Sequence, residues 1–407
     1  MSLNYHKLGD VLTIERGGSP RPIQKYLTDD IDGLNWIKIS DATASDKYIY
    51  KTKQKISKDG LYKTRFVNEG DFILSNSMSF GKPYIMKTTG CIHDGWLVLR
   101  NIEKANLERD FLYYILCSPN IFEQFNSLAS GSTVRNLNIR LVSSVKIPIP
   151  PIEEQKQIVE ILDKAFKSIE KAKTNIEKNI QNSKELFQSR LTEIFSQKND
   201  DWEEKKLEEL ANDKKAIVSG PFGSNLKVAD YRDSGVPIIR LQNVGKGYFI
   251  EKDIKYIDKE KAEELKSHSF VVGDIVLAKL GIPIGKTCII PETFNDGIIL
   301  ADIVRIRPDK KRVNYKFLEY FLNTDLSVSQ LTKNISGATR PRVNLSNVRN
   351  IVVPIPSFET QNKLVFEIDK LSEQTKQLEN QYKQKLNNLE ELKKSILQKA
   401  FSGELIP

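Results

Sequence analysis

The chain is poor in the residues that build metal sites and disulfides. Among 407 residues it has three cysteines (Cys91, Cys117, Cys288) and three histidines (His6, His93, His268). An odd, scattered set of thiols argues against a disulfide framework and suits a reducing compartment. Six Cys and His residues this dispersed match no zinc-ligand spacing. No stretch approaches the roughly 18 uncharged apolar residues of a membrane span. The opening MSLNYHKLGD has no apolar core of a secretory signal. A soluble, cytoplasmic protein is expected.

Catalytic signatures are missing too. Gly281-Ile282-Pro283-Ile284-Gly285-Lys286-Thr287 puts three residues between its glycines where a P-loop needs four, and Pro283 removes a donor N–H. No dinucleotide-binding glycine pattern follows a strand pattern. No Asn-Pro-Pro-aromatic or Asp-Pro-Pro-aromatic segment marks an amino-methyltransferase. Carboxylate pairs such as Glu203-Glu204 read as solvated helix-surface runs. His93-Asp94 could form half of a proton relay but stands alone, without a counterpart near Leu300-Ala301. The expectation is a chain that binds and organises and does not catalyse, with no metal site.

What is present is charge and repetition. Lys+Arg total 62 and Asp+Glu 53, a formal net charge of +9, with 39% hydrophobic and 28% charged residues. That is too apolar for disorder and too charged for an ordinary compact chain, a combination that long solvated helices reconcile. The length alone allows about two to four domains. The second half then proves to resemble the first. ASGSTVRNLNIRLVSSVKIPIPPIEEQ (129–155) aligns with ISGATRPRVNLSNVRNIVVPIPSFETQ (335–361) at an offset of 206, without gaps from Phe111/Phe317 to Ser196/Ser402. Identical pairs include Gly131/Gly337, Asn138/Asn344, Gln155/Gln361, Asp163/Asp369 and Phe195/Phe401. Gly70-Asp71 and Gly273-Asp274, and Gly81-Lys82 and Gly285-Lys286, continue the match upstream at slightly smaller offsets. The chain is a tandem repeat of a globular-plus-helix unit.

Each unit closes with a long helical pattern. The first runs from about Ile152 to Phe195, behind Pro150-Pro151 and with Glu153 and Glu154 in its first turn. The second runs from about Phe358 to Phe401 and stops at Gly403. Leu364, Ile368, Leu371, Leu378, Tyr382, Leu389, Leu392 and Ile396, with Thr375 and Lys385 as polar members, form a heptad seam. Ile158, Leu162, Ala165, Ile169, Ala172, Ile176 and Leu186 keep the same register in the first, diluted by Asn179 and Ser183. About 43 helical residues span about 65 Å, longer than a domain of this size can cover. An antiparallel coiled coil is therefore expected, with the two units related by an approximate two-fold axis.

The charge falls outside these helices. Residues 1–152 carry net +5 and 198–358 net +4, while 153–197 sum to zero and 359–400 to +1. The globular parts mix short strand patterns (36–39, 71–74, 97–99, 145–147; 238–241, 274–277, 303–306) with one helix each, Phe111–Leu116 and Phe317–Leu322. Polar glycine-rich loops at 17–22, 75–82 and 130–136, and at 219–224, 281–286 and 336–342, could set Arg, Lys, Asn and Ser against phosphates and base edges. Plain turns remain an alternative for each loop.

Ile147-Pro148-Ile149-Pro150-Pro151-Ile152-Glu153-Glu154-Gln155 leading into a long helix, its copy Val353-Pro354-Ile355-Pro356-Ser357-Phe358-Glu359-Thr360-Gln361, the Ser-Gly-Ser/Ala-Thr loops 130–133 and 336–339, and the tail from Leu397 to Leu405 together resemble one family. It is the specificity (S) subunit of type I restriction-modification systems. The second copy departs in lacking one proline and carrying Thr360 for Glu154.

The resemblance implies an α+β fold: two α/β target recognition domains separated by a long antiparallel two-helix coiled coil. It divides the chain into a first recognition domain (1–151), a central helix (152–197), a second recognition domain (198–357) and a C-terminal helix and tail (358–407). Each domain would read one half of a bipartite, asymmetric site in double-stranded DNA. Two methyltransferase subunits would join to make an adenine-N6 DNA methyltransferase, and two ATP-dependent motor-nuclease subunits could add restriction. S-adenosylmethionine, ATP and Mg would bind those partners, leaving no cofactor in this chain. The DNA-binding candidates are Arg21, Lys38, Asn76, Lys82, Arg135, Asn136 and Arg140 in the first domain. In the second they are Lys227, Arg240, Asn243, Lys279, Lys286, Arg340 and Arg342. A coiled-coil scaffold carrying two peptide-binding domains is the alternative, and a self-sufficient enzyme a third.

Overall fold

The computed structural model describes residues 4–76, 81–101, 106–129, 136–197, 202–221, 223, 225–333 and 342–405. Its contacts divide the chain into two compact units. One is Met1–Glu177 with Lys383–Pro407; the other is Lys178–Tyr382. Each long helix therefore contributes to both.

The first unit holds two five-stranded sheets. One has the order Leu12–Arg16, Trp96–Asn101, Phe72–Ser75, Pro83–Met86, Tyr48–Ile49. The other has the order Leu27–Thr28, Gln54–Ile56, Leu34–Ile37, Gly90–Ile92, Arg65–Val67. Within the second sheet, Gly90–Ile92 and Leu34–Ile37 run parallel. The strands are short, and the central ones are buried on both faces (Phe72–Ser75, Pro83–Met86), so their sequence reads as continuous apolar runs.

The second unit repeats the plan with four strands per sheet. Its orders are Ile217–Ser219, Ile303–Ile306, Ile275–Ala278, Thr287–Ile289 and Lys255–Ile257, Val236–Ile239, Asp296–Ile299, Ser269–Val271. The parallel pair recurs, here Val236–Ile239 with Asp296–Ile299. The repeated Gly-Lys segment is a turn in both units. Gly81 and Gly285 sit at φ +82° and +77°, and each amide closes onto the strand before it, at Ser75 O (2.8 Å) and Ala278 O (3.0 Å). A strand, Thr287–Ile289, follows the second copy, where a P-loop would be followed by a helix.

The long helices run Ile152–Ser196 and Phe358–Ser402. In the first unit the start of one meets the end of the other, and they run antiparallel. Ile158 and Leu162 share a core with Leu397, Ala400 and Phe401, and Lys393 lies over the Phe166 ring. Phe401 packs edge-on against Phe111 of the globular part. In the second unit Leu191 and Phe195 share a core with Val365 and Ile368, again antiparallel, and Phe195 stacks on Phe317 and Phe321. Two identities of the repeat thus become the same aromatic plug.

The seam departs from a strict heptad. Leu186, Leu378 and Leu392 are exposed by 68%, 39% and 47%. The partly covered positions beside them are Ile180 and Phe187 in the first helix and Leu386 in the second. Lys385, expected in the seam, is exposed. A straight helix of 3.6 residues per turn drifts about 20° per heptad against a 3.5 repeat, so over some six heptads the covered stripe moves on by one residue.

Another identity anchors helix to domain. Gln155 is fully buried; its amide donates to the carbonyls of Asn106 (3.0 Å) and Pro150 (2.8 Å) and its Oε1 accepts from Glu108 N (2.8 Å). Gln361 does the same with the carbonyls of Arg312 (3.2 Å) and Pro356 (3.0 Å) and with Asn314 N (2.9 Å). About two turns further on, the Tyr114 hydroxyl donates to Asp163 and that of Tyr320 to Asp369.

Candidate nucleic-acid interface

Several of the candidate residues lie where strands of the two sheets of a unit end side by side. In the first unit the chain leaves Leu34–Ile37 into a short helix, Ile39–Thr43, whose Asp41 accepts from Lys38 N at 3.0 Å. This leaves the Lys38 side chain exposed, with its Nζ 3.2 Å from Gln54 Oε1. Arg21, on the loop after Leu12–Arg16, is 80% exposed and 3.5 Å from Asp94. The Asp94 carboxylate also accepts from Ser19 Oγ at 2.7 Å, and this hydrogen bond holds its pKa below the usual range. Arg21 and Lys38 border one hollow of 610 Å³, together with Ser19, Pro20, Ile23, Trp36, Ile39, Ser40 and His93.

Asn76 lies next to that hollow but faces inward. It is 1% exposed; its amide donates to Asp94 O (2.9 Å), and its backbone pairs with Gly95 O (3.0 Å) and Leu137 N (2.8 Å). It ties the loop ends together. Asn136 is half-buried with no partner for its Oδ1 among the described residues, and Arg140 is exposed on the helix Ile139–Ser144. Lys82 belongs elsewhere, in a 950 Å³ cleft of the first unit shared with Lys47, Tyr113, Phe166 and Lys393. Arg135 and Arg340 lie outside the described residues, as do both Ser-Gly-Thr loops.

The second unit fills the same corner with charge. Its Lys279 occupies the position of Asn76: its N–H meets Asp302 O (2.8 Å) and its C=O meets Val343 N (3.0 Å). Lys279 is 9% exposed, and its ammonium donates to Ser219 Oγ. Burial first, and the Arg342 guanidinium second, lower its pKa. Arg342 is 58% exposed and paired with Asp302. Arg240 matches Lys38 in place: its N–H donates to Asn243 Oδ1 at 3.0 Å, and its guanidinium to Asp253 O. Asn243 is fully buried, donating to Ile250 O and Lys252 O, both at 3.0 Å. Lys286 is half-buried behind Gly285, and Lys227 is exposed apart from this corner, beside the short turn Val228–Asp230.

The structure thus brings together Arg21 with Lys38, and Lys279 with Arg342. It sets Asn76 and Asn243 inside as braces. Among the described residues no group of three or more His, Cys, Asp or Glu is placed to hold a metal ion, and no helix is long and apolar enough to cross a membrane.

The family model described as "Type I restriction modification DNA specificity domain" matches residues 3–180 and 199–388, one copy per repeat. The chain belongs to that family. Its relatives include the specificity subunit of the type I restriction enzyme EcoBI of Escherichia coli, 25% identical, covering 92% of this chain and 80% of the relative. The MjaVIII specificity subunit of Methanocaldococcus jannaschii is 24% identical over 98% and 92% of the two chains. Among solved structures, one described as the structural basis of complex assembly and conformational transition of the type I R-M system covers both chains fully, with a TM-score of 0.71 at 19% identity. The HsdS subunit of Thermoanaerobacter tengcongensis covers 99% of this chain and 97% of its own, with a TM-score of 0.54 at 20% identity. These likenesses establish the fold.

Within this specificity-family chain, several corner residues carry no sequence signal of their own. Ser19 becomes visible only as the donor to Asp94, Asp302 only as the partner of Arg342, and Gly95 only as the neighbour of His93. The His93-Asp94 pair is no proton relay, because His93 Nδ1 accepts from Gly95 N at 2.9 Å while the Asp94 carboxylate is held by Ser19 and Arg21.

Proposed function

We propose that this chain is the DNA sequence-specificity subunit of a type I restriction-modification complex. Each of its two domains reads one half of a bipartite, asymmetric duplex site. The chain also scaffolds two methyltransferase subunits and, where restriction is present, two motor-nuclease subunits. S-adenosylmethionine, ATP and Mg belong to those partners, and the assembled complex is the adenine-N6 methyltransferase. One observation carries the reading: two copies of a DNA specificity domain share a scaffold yet present different donors at matching corners. A shared scaffold fixes where the reading groups stand, and unlike donors make the two half-sites unlike.

The test is duplex binding by the full chain, alone and with its methyltransferase partner, across a salt series, followed by mapping of methylated adenines. A salt-dependent complex and a single bipartite motif are expected. No shift under either condition would sink the proposal and favour a peptide-binding scaffold. Methylation or cleavage by the purified chain alone would overturn the division of labour.

A further inference from the structure

His93 lies on the wall of the 610 Å³ hollow of the first unit, 20% exposed, with Trp36 and Trp96 rings at 6.0 and 6.1 Å. Its tautomer is fixed by the backbone. The Gly95 N–H donates to Nδ1, so the proton of the neutral ring is on Nε2. Burial lowers the pKa, with the Lys38 charge adding to the effect and Asp94 opposing it, so the ring is neutral at pH 7. Among the described residues no protein group takes the Nε2 proton. Gly95 is part of the device: a Cβ there would fall 2.5 Å from His93 Cε1 and push the ring from its seat.

We propose that His93 is a specificity-determining residue of the first half-site, its Nε2–H donating to an acceptor on a base-pair edge seated at this hollow. This rests on the DNA-reading function above. The neighbouring Lys38 and Arg21 are also donors, so the edge that fits presents acceptors: guanine O6/N7 or thymine O4. A cytosine N4 amino group at that position would set donor against donor. Ile23 and Trp36 give the hollow apolar lining, so a base edge seated there displaces water and a mismatched donor is left unpaired. The second unit has Leu300 at the corresponding place, so the rule applies to one half-site.

The experiment maps the methylated motif of the full chain co-expressed with its methyltransferase partner. Three forms are compared: wild type, His93→Ala, and Gly95→Ala, which keeps the imidazole but displaces it. Expected is about a ten-fold loss of preference at one base pair of one half-site in both variants, with the other half-site and the spacer retained. The slope of affinity against salt should stay that of wild type, since a neutral donor releases no counterion. Should His93→Ala fail to fold, His93→Gln keeps the volume and an N–H and is expected to change preference at that same base pair alone. An unaltered motif in the folded variants, relaxation in both half-sites, or weaker binding to all sequences with a shallower salt slope would each overturn the assignment. A wild-type complex that methylates no motif would instead defeat the functional reading beneath it.

Discussion

The matching corners of the two units solve one problem with different chemistry. The first braces its strand ends with a neutral amide: Asn76 ties them together, while Asp94 is occupied by Ser19 and Arg21. The second is ionic: Lys279, Asp302 and Arg342 occupy the places of Asn76, Gly95 and Asn136. The backbone pairing beneath them is the same. A scaffold that meets its needs with main-chain hydrogen bonds leaves its side chains free to differ.

The largest effect that would break this comparison comes from exchanging residues 1–140 for those of another family member. One half-site of the methylated motif should change entirely while the other stays. A change in both would show that the corners do not read independently. Next in size is removal of the buried amides. Gln155→Ala and Gln361→Ala each remove three hydrogen bonds to backbone groups, most of them part-buried, and each should cost about 3 kcal/mol in denaturant unfolding. Unequal costs would mean that the two units are not equivalent where they look so.

A third test uses a site where they differ. Glu319 is 7% exposed, and burial pushes its carboxyl up to about 7 from 4.5. The folded state thus holds a proton that the unfolded chain gives up near pH 4.5, and stability falls as pH rises from about 5 to above 7. Glu319→Gln should remove that slope, a gain of up to about 3 kcal/mol at pH 8. In the first unit the same place is taken by Tyr113, whose burial raises its phenol further above the usual range, so no such slope arises there. Thermal unfolding between pH 5 and 8 checks both. The smallest effect is expected from Asp302→Asn, which leaves Lys279 and Arg342 without their anion. DNA affinity should rise a few-fold and the salt slope steepen by about one, with sequence preference little changed.

The sequence was legible where physics repeats locally. The offset of 206, the long helices and most strands follow from identity and periodicity. It was illegible where neighbours come from distant segments. Nothing in Asn76 or Asn243 shows that each turns inward. That depends on carbonyls at Asp94, and at Ile250 and Lys252, waiting for an amide. Likewise the isolated His93-Asp94 pair suggested half a relay. Its meaning came from Gly95 beneath the ring and from Ser19 and Arg21, more than seventy residues away, on the carboxylate. The seam was read as a heptad from its 4-3 spacing, which Leu186, Leu378 and Leu392 keep; drift of the helix, which the spacing does not show, turns them outward.

The buried glutamines have a consequence for how such a chain can change. Every partner of Gln155 and Gln361 is a main-chain atom, and the residues supplying those atoms differ between the units: Asn106 against Arg312, Glu108 against Asn314. The glutamine contact between globular part and helical shaft is therefore blind to side chains, unlike the Phe111–Phe401 and Tyr114–Asp163 contacts beside it. A globular part acquired by recombination would meet the same amide with the same carbonyls and N–H, whatever its sequence. New target sites can then arise in one genetic step, with the shaft unaltered.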